Sequence, residues 1–366
     1  MPPAQAVPID RPSEPPAVSG GPETLLEVVH AIPDSCRERP TRAGMMLVAR
    51  DLVIYGAALT ALAFTNTWWL LIPLWLLAGI SVAGLFVLGH DAAHGSLFAS
   101  RSLNRVVGIA LFVPSQHIYE SWVLGHNHIH HRHTARQGMD FVWHPVTPTE
   151  YAELNRFQRL RHRVEWSALG PGVYYLREVW WNKMIRLQQP PRKWEAGIRR
   201  DRNILRLVTI IILTGTLVSV GLLTGSALEA LWLVVKLFVV PFLIFNWFIG
   251  FTVYVHHIGT DMPWPARSEW TKVAAQMDAT KVFRIPRVLD VFFHGIFLHV
   301  PHHVDQRIPC YHLDEATAAI EAAFPGRIAD TKLRMREYVA NTRACKLYDF
   351  DEHRWHTYAS AKATHS

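Results

Sequence analysis

Three histidine clusters carry the side chains of this chain most able to do chemistry: His90 with His94; His126, His128, His130, His131 and His133; and His299, His302 and His303. Each contains a pair four residues apart, and on a helix such a pair projects from one face with the two side chains about 6 Å apart. Two imidazoles so placed can reach one metal ion. Imidazole is the commonest protein ligand for borderline metals, and no cluster contains a cysteine that would point to a thiolate zinc site. More than six histidines exceed what one transition ion usually takes, so the pattern implies two metals. Nitrogen ligands with positions left open suit iron better than zinc, which is redox-silent and needs only four ligands. Iron with oxygen can also attack the strong carbon–hydrogen bonds of an apolar chain, which acids, bases and nucleophiles leave untouched.

The elements that must position these clusters are membrane helices. Half of the 366 residues are hydrophobic, and they fall in long uncharged runs. Residues 68–88 and 228–255 each exceed the roughly 20 apolar residues needed to cross a bilayer, and 45–64 and 205–223 are two further spans. Polar turns at 65–67 and 224–227 join them into two hairpins. Nearly all basic residues lie outside the hairpins, with a dense stretch from Arg156 to Arg206 between the second and third spans. By the positive-inside rule that stretch and both termini are cytoplasmic. His90 follows the second span and His256 and His257 follow the fourth, so all the clusters converge on the cytoplasmic face. The expected fold is an all-α integral membrane protein: four transmembrane helices in two hairpins and a cytoplasmic helical cap that carries the metal site. Residues 45–325 form the membrane domain, after a mostly disordered segment 1–44 and before a cytoplasmic helix and tail, 326–366. Within it, 106–113 and 291–300 are too short to cross and lie at the interface, and 331–344 reads as a helix.

The net charge of +7 follows from this topology and from attraction to anionic headgroups. The basic residues flank spans and no nucleic-acid-binding motif appears, so nucleic acid is not expected as a partner. Cys36, Cys310 and Cys345 are too few and too scattered for a disulfide framework or an iron–sulfur cluster, and reduced thiols are expected. Residues 1–22, rich in Pro, Ala, Ser and Gly, lack the apolar core of a signal peptide and read as a disordered tail. Arg50 and Asp51 stand near the start of the first span, where they can reach the interface or pair. Lys236 is the one full charge deep in a clean span, and is expected to snorkel.

The residues around the clusters resemble those of the membrane fatty acid desaturases. The matching stretches are Gly89-His-Asp-Ala-Ala-His-Gly-Ser-Leu-Phe, then Gly125-His-Asn-His-Ile-His-His-Arg-His-Thr continuing to Gly138-Met-Asp-Phe-Val-Trp, then His299-Val-Pro-His-His-Val-Asp with Ile308-Pro-Cys-Tyr behind it. Boxes and spans together cover roughly residues 45–325. The resemblance implies a non-haem di-iron centre that uses molecular oxygen and two electrons to put a double bond into an acyl chain. Carried across box by box, it assigns as ligands His90 and His94; His126, His130 and His131; and His299, His302 and His303. A further ligand is expected just after the last span, at His256 or His257, with His257 favoured. The second box has three residues, not two, between its first histidine and the pair, which leaves the reaction less defined than the ligation.

His128 and His133 point away from the His126 and His130 face of a helix and suit supporting roles. His294 is read as structural, and His117 and His144 are unassigned. Asp91 and Asp140 could orient ligand imidazoles through the other ring nitrogen, or could equally be caps or surface charges. An apolar tunnel is implied, with Trp68, Trp69, Trp75, Trp247 and Phe251 as candidates, although aromatics at span ends also serve as interfacial anchors. With no haem motif or iron–sulfur set of its own, the chain requires an external donor, a ferredoxin or a cytochrome with its reductase. The stretch Arg156–Arg206 offers a docking surface for it. The rival within this chemistry is a di-iron hydroxylase or ketolase acting on an alkyl, acyl or carotenoid substrate. The rival outside it is a metal transporter, which would need more ionisable groups at mid-membrane.

Overall fold

A computed structural model describes residues 21–363 apart from Gln188; residues 1–20 of the expected tail lie outside the described residues. Four helices, Thr41–Phe64, Trp68–His94, Arg192–Thr224 and Ala227–His257, are long and apolar enough to cross a bilayer. Each extends past its predicted limits. The second runs on through its histidines to His94, and the third begins at Arg192 rather than at residue 205.

The second span is the hub, packed against the first and the fourth. Its residues from Ala78 to Ala93 are all buried, which explains why it reads as apolar all round rather than amphipathic. The third span is the opposite case: none of its most apolar window is buried against protein, so that surface faces lipid. In the fourth span the helix widens to a π-turn at Val235–Val239, just before Pro241. Proline has no N–H to give to the preceding turn and its ring crowds the carbonyl there, so the helix loosens locally. The π-turn carries Lys236, which does not snorkel outward. Its Nζ is buried and donates to Ala63 O (3.2 Å), Thr65 O (3.0 Å) and Asn66 Oδ1 (2.9 Å), capping the carbonyl end of the first span, where a cation is favoured.

Arg50 and Asp51 do pair with each other, at 2.8 Å. Asp51 also accepts a hydrogen bond from His294 Nε2 at 2.6 Å, tying the first span to the chain just before the third histidine cluster.

Short helices from the second-to-third connection and from the chain beyond the fourth span cover one end of the bundle. Their joint core is aromatic: Trp122, Trp143, Trp166, Tyr338 and Tyr348 are buried together with Phe86, Phe245 and Tyr254 of the spans. The described fold is helical apart from two small sheets that the all-α expectation omitted. Val282–Arg284 pairs in parallel with Asp330–Lys332, and Leu347–Asp349 pairs antiparallel with Arg354–His356. The terminal helix accordingly starts at Met335, not 331.

Residues 24–44, expected to belong to a mostly disordered segment, are folded instead. Leu25–Ala31 is helical, and Val28, Ile32 and Cys36 bury against Val300, Val304, Leu313 and Ile320. Arg37 locks this segment down by donating to Asp305 (2.8 Å) and to Val29 O (2.7 Å). Cys36, Cys310 and Cys345 are free thiols.

Candidate metal centre

The fold gathers nine imidazoles into two adjacent groups. His90, His94, His126, His131 and His302 form the first, and His130, His257, His299 and His303 the second; within each, one ring nitrogen per residue lies within 4.8 Å of all the others. These are the nine histidines to which the family resemblance assigns ligation. The last turn of the second span supplies His90 and His94, and the end of the fourth supplies His257. The helix His299–Val304 sends His302 to the first group and His299 and His303 to the second.

Four-residue spacing accounts for His90 with His94 and for His299 with His303, but not for the second box. Val123–His130 is a π-helix, running straight into the α-helical turn His131–His133. On its wider turn the residues five apart, His126 and His131, face the same group, whereas His126 and His130 are parted between groups. The expectation that His126 and His130 share a face is therefore corrected.

The ring nitrogens converge. His90 Nε2 lies 2.9 Å from His126 Nε2 and 3.3 Å from His94 Nε2, and His131 Nε2 lies 3.2 Å from His126 Nε2. In the second group His303 Nε2 is 3.1 Å from His299 Nε2. Ligand nitrogens about 2.1 Å from one ion and at right angles would be about 3 Å apart, so the spacing fits ligation. The groups touch, for the rings of His131 and His303 stack at 4.3 Å.

Protonation is arranged from behind. His130 Nδ1 donates to Asp140 Oδ1 at 2.7 Å, and His303 Nδ1 to Gln276 Oε1 at 2.7 Å. His94 Nδ1 donates to Gln306 Oε1 (3.1 Å), His257 Nδ1 to Ala279 O (3.3 Å) and His90 Nδ1 to Asp91 Oδ1 (3.3 Å). With the proton held at Nδ1, the lone pair of each ring stays at Nε2, the arrangement that metal-binding histidines show. Burial, then the neighbouring imidazoles, push the pKa values of His126, His131, His299, His302 and His303 well below the histidine norm. These rings are neutral, as ligands must be. His302 Nε2 is buried with no protein partner, an orphaned atom that a metal would satisfy.

Burial pushes the Asp140 carboxyl up, but its neighbours His130 and His257 and the hydrogen bonds from His130 and Val142 outweigh it and hold the group at about 2. Asp140 also accepts from Ala135 N (2.8 Å) and Val142 N (2.9 Å). Asp91 touches His90 more loosely, and its other oxygen accepts from Cys310 N at 2.7 Å. Gln276 and Gln306 were missed by sequence reasoning, because a lone glutamine carries no pattern. Gln276 is fully buried and also donates to His131 O at 2.9 Å.

The remaining histidines stand apart. His256 stacks on His299 at 3.9 Å but belongs to neither group. His128 faces Trp194 and His133 faces Trp270. His294 is held by Asp51, and His117 donates to Ser115 O and meets Tyr175 Oη at 2.9 Å.

A narrow apolar slot opens on the centre. Phe86, Val87, Trp122, Val142, Ile249, Val253 and Ile296 line it beside five of the clustered histidines and His256. None of Trp68, Trp69, Trp75, Trp247 or Phe251 does. Trp68 and Trp69 are exposed at the start of the second span, as interfacial anchors are, and Trp75 donates to Lys236 O.

The chain is similar to known proteins along most of its length. The chain is 29% identical to an sn-1 oleoyl-lipid 12-desaturase of Picosynechococcus sp. over 92% of each chain. It is 27% identical to the enzyme of that name from Anabaena variabilis, covering 89% of this chain and 90% of the relative. An sn-1 acyl-lipid omega-3 desaturase (ferredoxin) of Nostoc sp. matches at 27% over 82% of this chain and 81% of its own. Residues 66–333, which hold three of the four spans and all nine clustered histidines, match the fatty acid desaturase family, and the chain belongs to that family.

Proposed function

We propose that this fatty acid desaturase holds two iron ions, His90, His94, His126, His131 and His302 binding one and His130, His257, His299 and His303 the other. The observation that carries this is the division of nine imidazoles, eight buried and His94 half-buried, into two touching groups whose lone pairs converge. Iron bound there would supply the activation of molecular oxygen that cutting an unactivated carbon–hydrogen bond demands. The balance is –CH2–CH2– + O2 + 2 e⁻ + 2 H⁺ → –CH=CH– + 2 H2O, the two electrons coming from an external donor. Asp140, Gln276, Gln306 and Asp91 fix ring protons away from the metals. The slot walled by Phe86, Trp122 and Ile249 excludes water and presents methylenes to the centre, distance alone choosing among chemically alike carbons.

The substrate we assign is an acyl chain esterified in a membrane lipid, on the strength of relatives named for oleoyl-lipid. The domain reading places residues 45–325 in the membrane unit, two hairpins under a cap, with the cap, the centre and both termini cytoplasmic. The basic stretch on the cap side supports that orientation.

The test is expression of the chain with a ferredoxin reducing system, followed by lipid mass analysis and metal analysis of the purified protein. Products two hydrogens lighter and about two irons per chain are expected. Products heavier by one oxygen would make it a hydroxylase, and zinc without iron would sink the oxidative reading.

A further inference from the structure

The proposed reaction rests on two electrons arriving from outside, and the fold indicates where. The apolar slot reaches one side of the histidine cluster. A second hollow, an open cleft of about 710 Å³, reaches His94, His131 and His303, three of the clustered histidines that the slot does not touch, and the two hollows share no lining residue. Its rim is cationic, with Arg132, Lys272 and Arg307 all exposed. The one carboxylate in its lining, Asp305, is buried and already paired with Arg37 and Arg307, each at 2.8 Å. Exposed Leu26 adds an apolar contact from the N-terminal helix. Gln306, half-buried in the wall, accepts the Nδ1 proton of His94, so a surface contact leads to the first group through one hydrogen bond.

We propose that this cleft is the docking surface for a small acidic electron-transfer protein of the ferredoxin type. Two reduced one-electron donors would bind in turn; their two electrons, with the two that leave the substrate as hydrogen, complete the four-electron reduction of O2 to two waters. The proposal refines the expected partner and moves its seat away from Arg156–Arg206. Four cations of that stretch have internal carboxylate partners, Arg177 with Glu165 and Glu178, Lys183 with Glu178, Arg199 with Glu195 and Arg200 with Asp201, and none of the stretch lines the cleft. At the cleft Arg307 shares the single carboxylate of Asp305 with Arg37, so the rim keeps a net positive charge. Opposite charge at the cleft speeds encounter and sets orientation, in an interface of the small redox class.

The test uses the full chain in lipid nanodiscs with reduced plant-type ferredoxin, and in parallel a small chemical reductant such as dithionite. Lys272→Glu with Arg307→Glu should raise the KM for ferredoxin roughly 10-fold at low ionic strength, and the difference should fade in about 0.5 M salt. Turnover with dithionite should not change. The neutral pair K272Q/R307Q should fall between, and Arg156→Glu with Arg192→Glu should stay within about twofold of the parent. An unchanged KM in the cleft variant, or an equal rise in the Arg156/Arg192 control, overturns the assignment. So does a loss shared with dithionite, which would place the residues in folding or chemistry, or a raised KM for the lipid substrate instead, which would give the cleft to a headgroup. If the unaltered chain desaturates nothing with either reductant, it is the desaturase reading itself that fails.

Discussion

Asp140→Asn should weaken metal binding in one group and spare the other. Asp140 is buried, and its two oxygens receive three hydrogen bonds, from His130 Nδ1, Val142 N and Ala135 N, at 2.7–2.9 Å. All three partners are donors. Asparagine offers one oxygen and one NH2: with the NH2 in the place of Oδ2 it opposes the Ala135 N–H, with the NH2 in the place of Oδ1 it opposes His130 Nδ1–H and Val142 N–H, and in both the negative charge behind the His130 ring is gone. The donors around the carboxyl hold its pKa below the ordinary value in spite of burial, so the charged acceptor is the favoured one. Losing that interaction is a factor of roughly 10 to 100, the range expected when a partner behind a metal-binding histidine is removed. The variant should therefore release iron from the second group at a 10- to 100-fold lower chelator concentration, with turnover reduced to match and about one iron per chain retained at intermediate chelator. Graded chelation with metal analysis and turnover measures both. Full chelator resistance with full turnover, or loss of both irons together, would refute the reasoning. Asp91→Asn should do less, because its contact with His90 is longer, at 3.3 Å, and its other oxygen holds Cys310 N. The sign of the pH effect follows as well. A depressed carboxylate pKa contributes stability that is complete above the ordinary value of 3.8 and is lost only as pH falls toward 2, so Asp140 imposes no pH dependence on turnover between about pH 5 and 8.

Gly250→Ala should destabilise the junction of the fourth span and the cap. Gly250 and Gly172 meet backbone to backbone, and a Cβ at 250 would lie 2.3 Å from Pro171 O. Overpacking of that kind costs about 1–3 kcal/mol, and an unchanged thermal midpoint in detergent would contradict it. Lys236→Met should lower the thermal midpoint by removing three hydrogen bonds to the end of the first span, about 1–3 kcal/mol, while iron content stays the same. A parallel loss of iron would mean that the cap of the first span is coupled to the centre at the far end of the bundle.

The spans were legible because a bilayer demands long uncharged runs, and the nine histidines because their boxes are dense and matched a family. The chemistry behind them was only half legible. Asp91 and Asp140 were noticed beside the boxes, but Gln276 lies 27 residues before His303 and Gln306 lies 212 after His94, the rings they hold, and nothing local marks them. The ordering of Leu25–Ala31 was invisible because its stability comes from Val300, Val304 and Ile320, contacts made across the whole chain. Lys236 misled for a related reason: its acceptors are backbone carbonyls of another helix's end, which composition does not reveal. The π-turn in the second box was missed because a four-residue period was assumed where the helix runs five.

That π-turn bears on how motif spacing should be read. Each residue added to an α-helix rotates everything after it by about 100°, so one extra residue between His126 and the His130–His131 pair would swing the pair away from its targets. Here the surplus is stored inside the helix as a wider turn, with no loop extruded, and Trp122 before it and Thr134 after it stay buried in place. Wound this way, the helix accommodates three residues between His126 and the His130–His131 pair and still brings all three imidazoles into the two groups. A box of unusual spacing therefore says how the helix is wound, and the choice between forming a double bond and inserting oxygen must be sought in the slot beyond the rings.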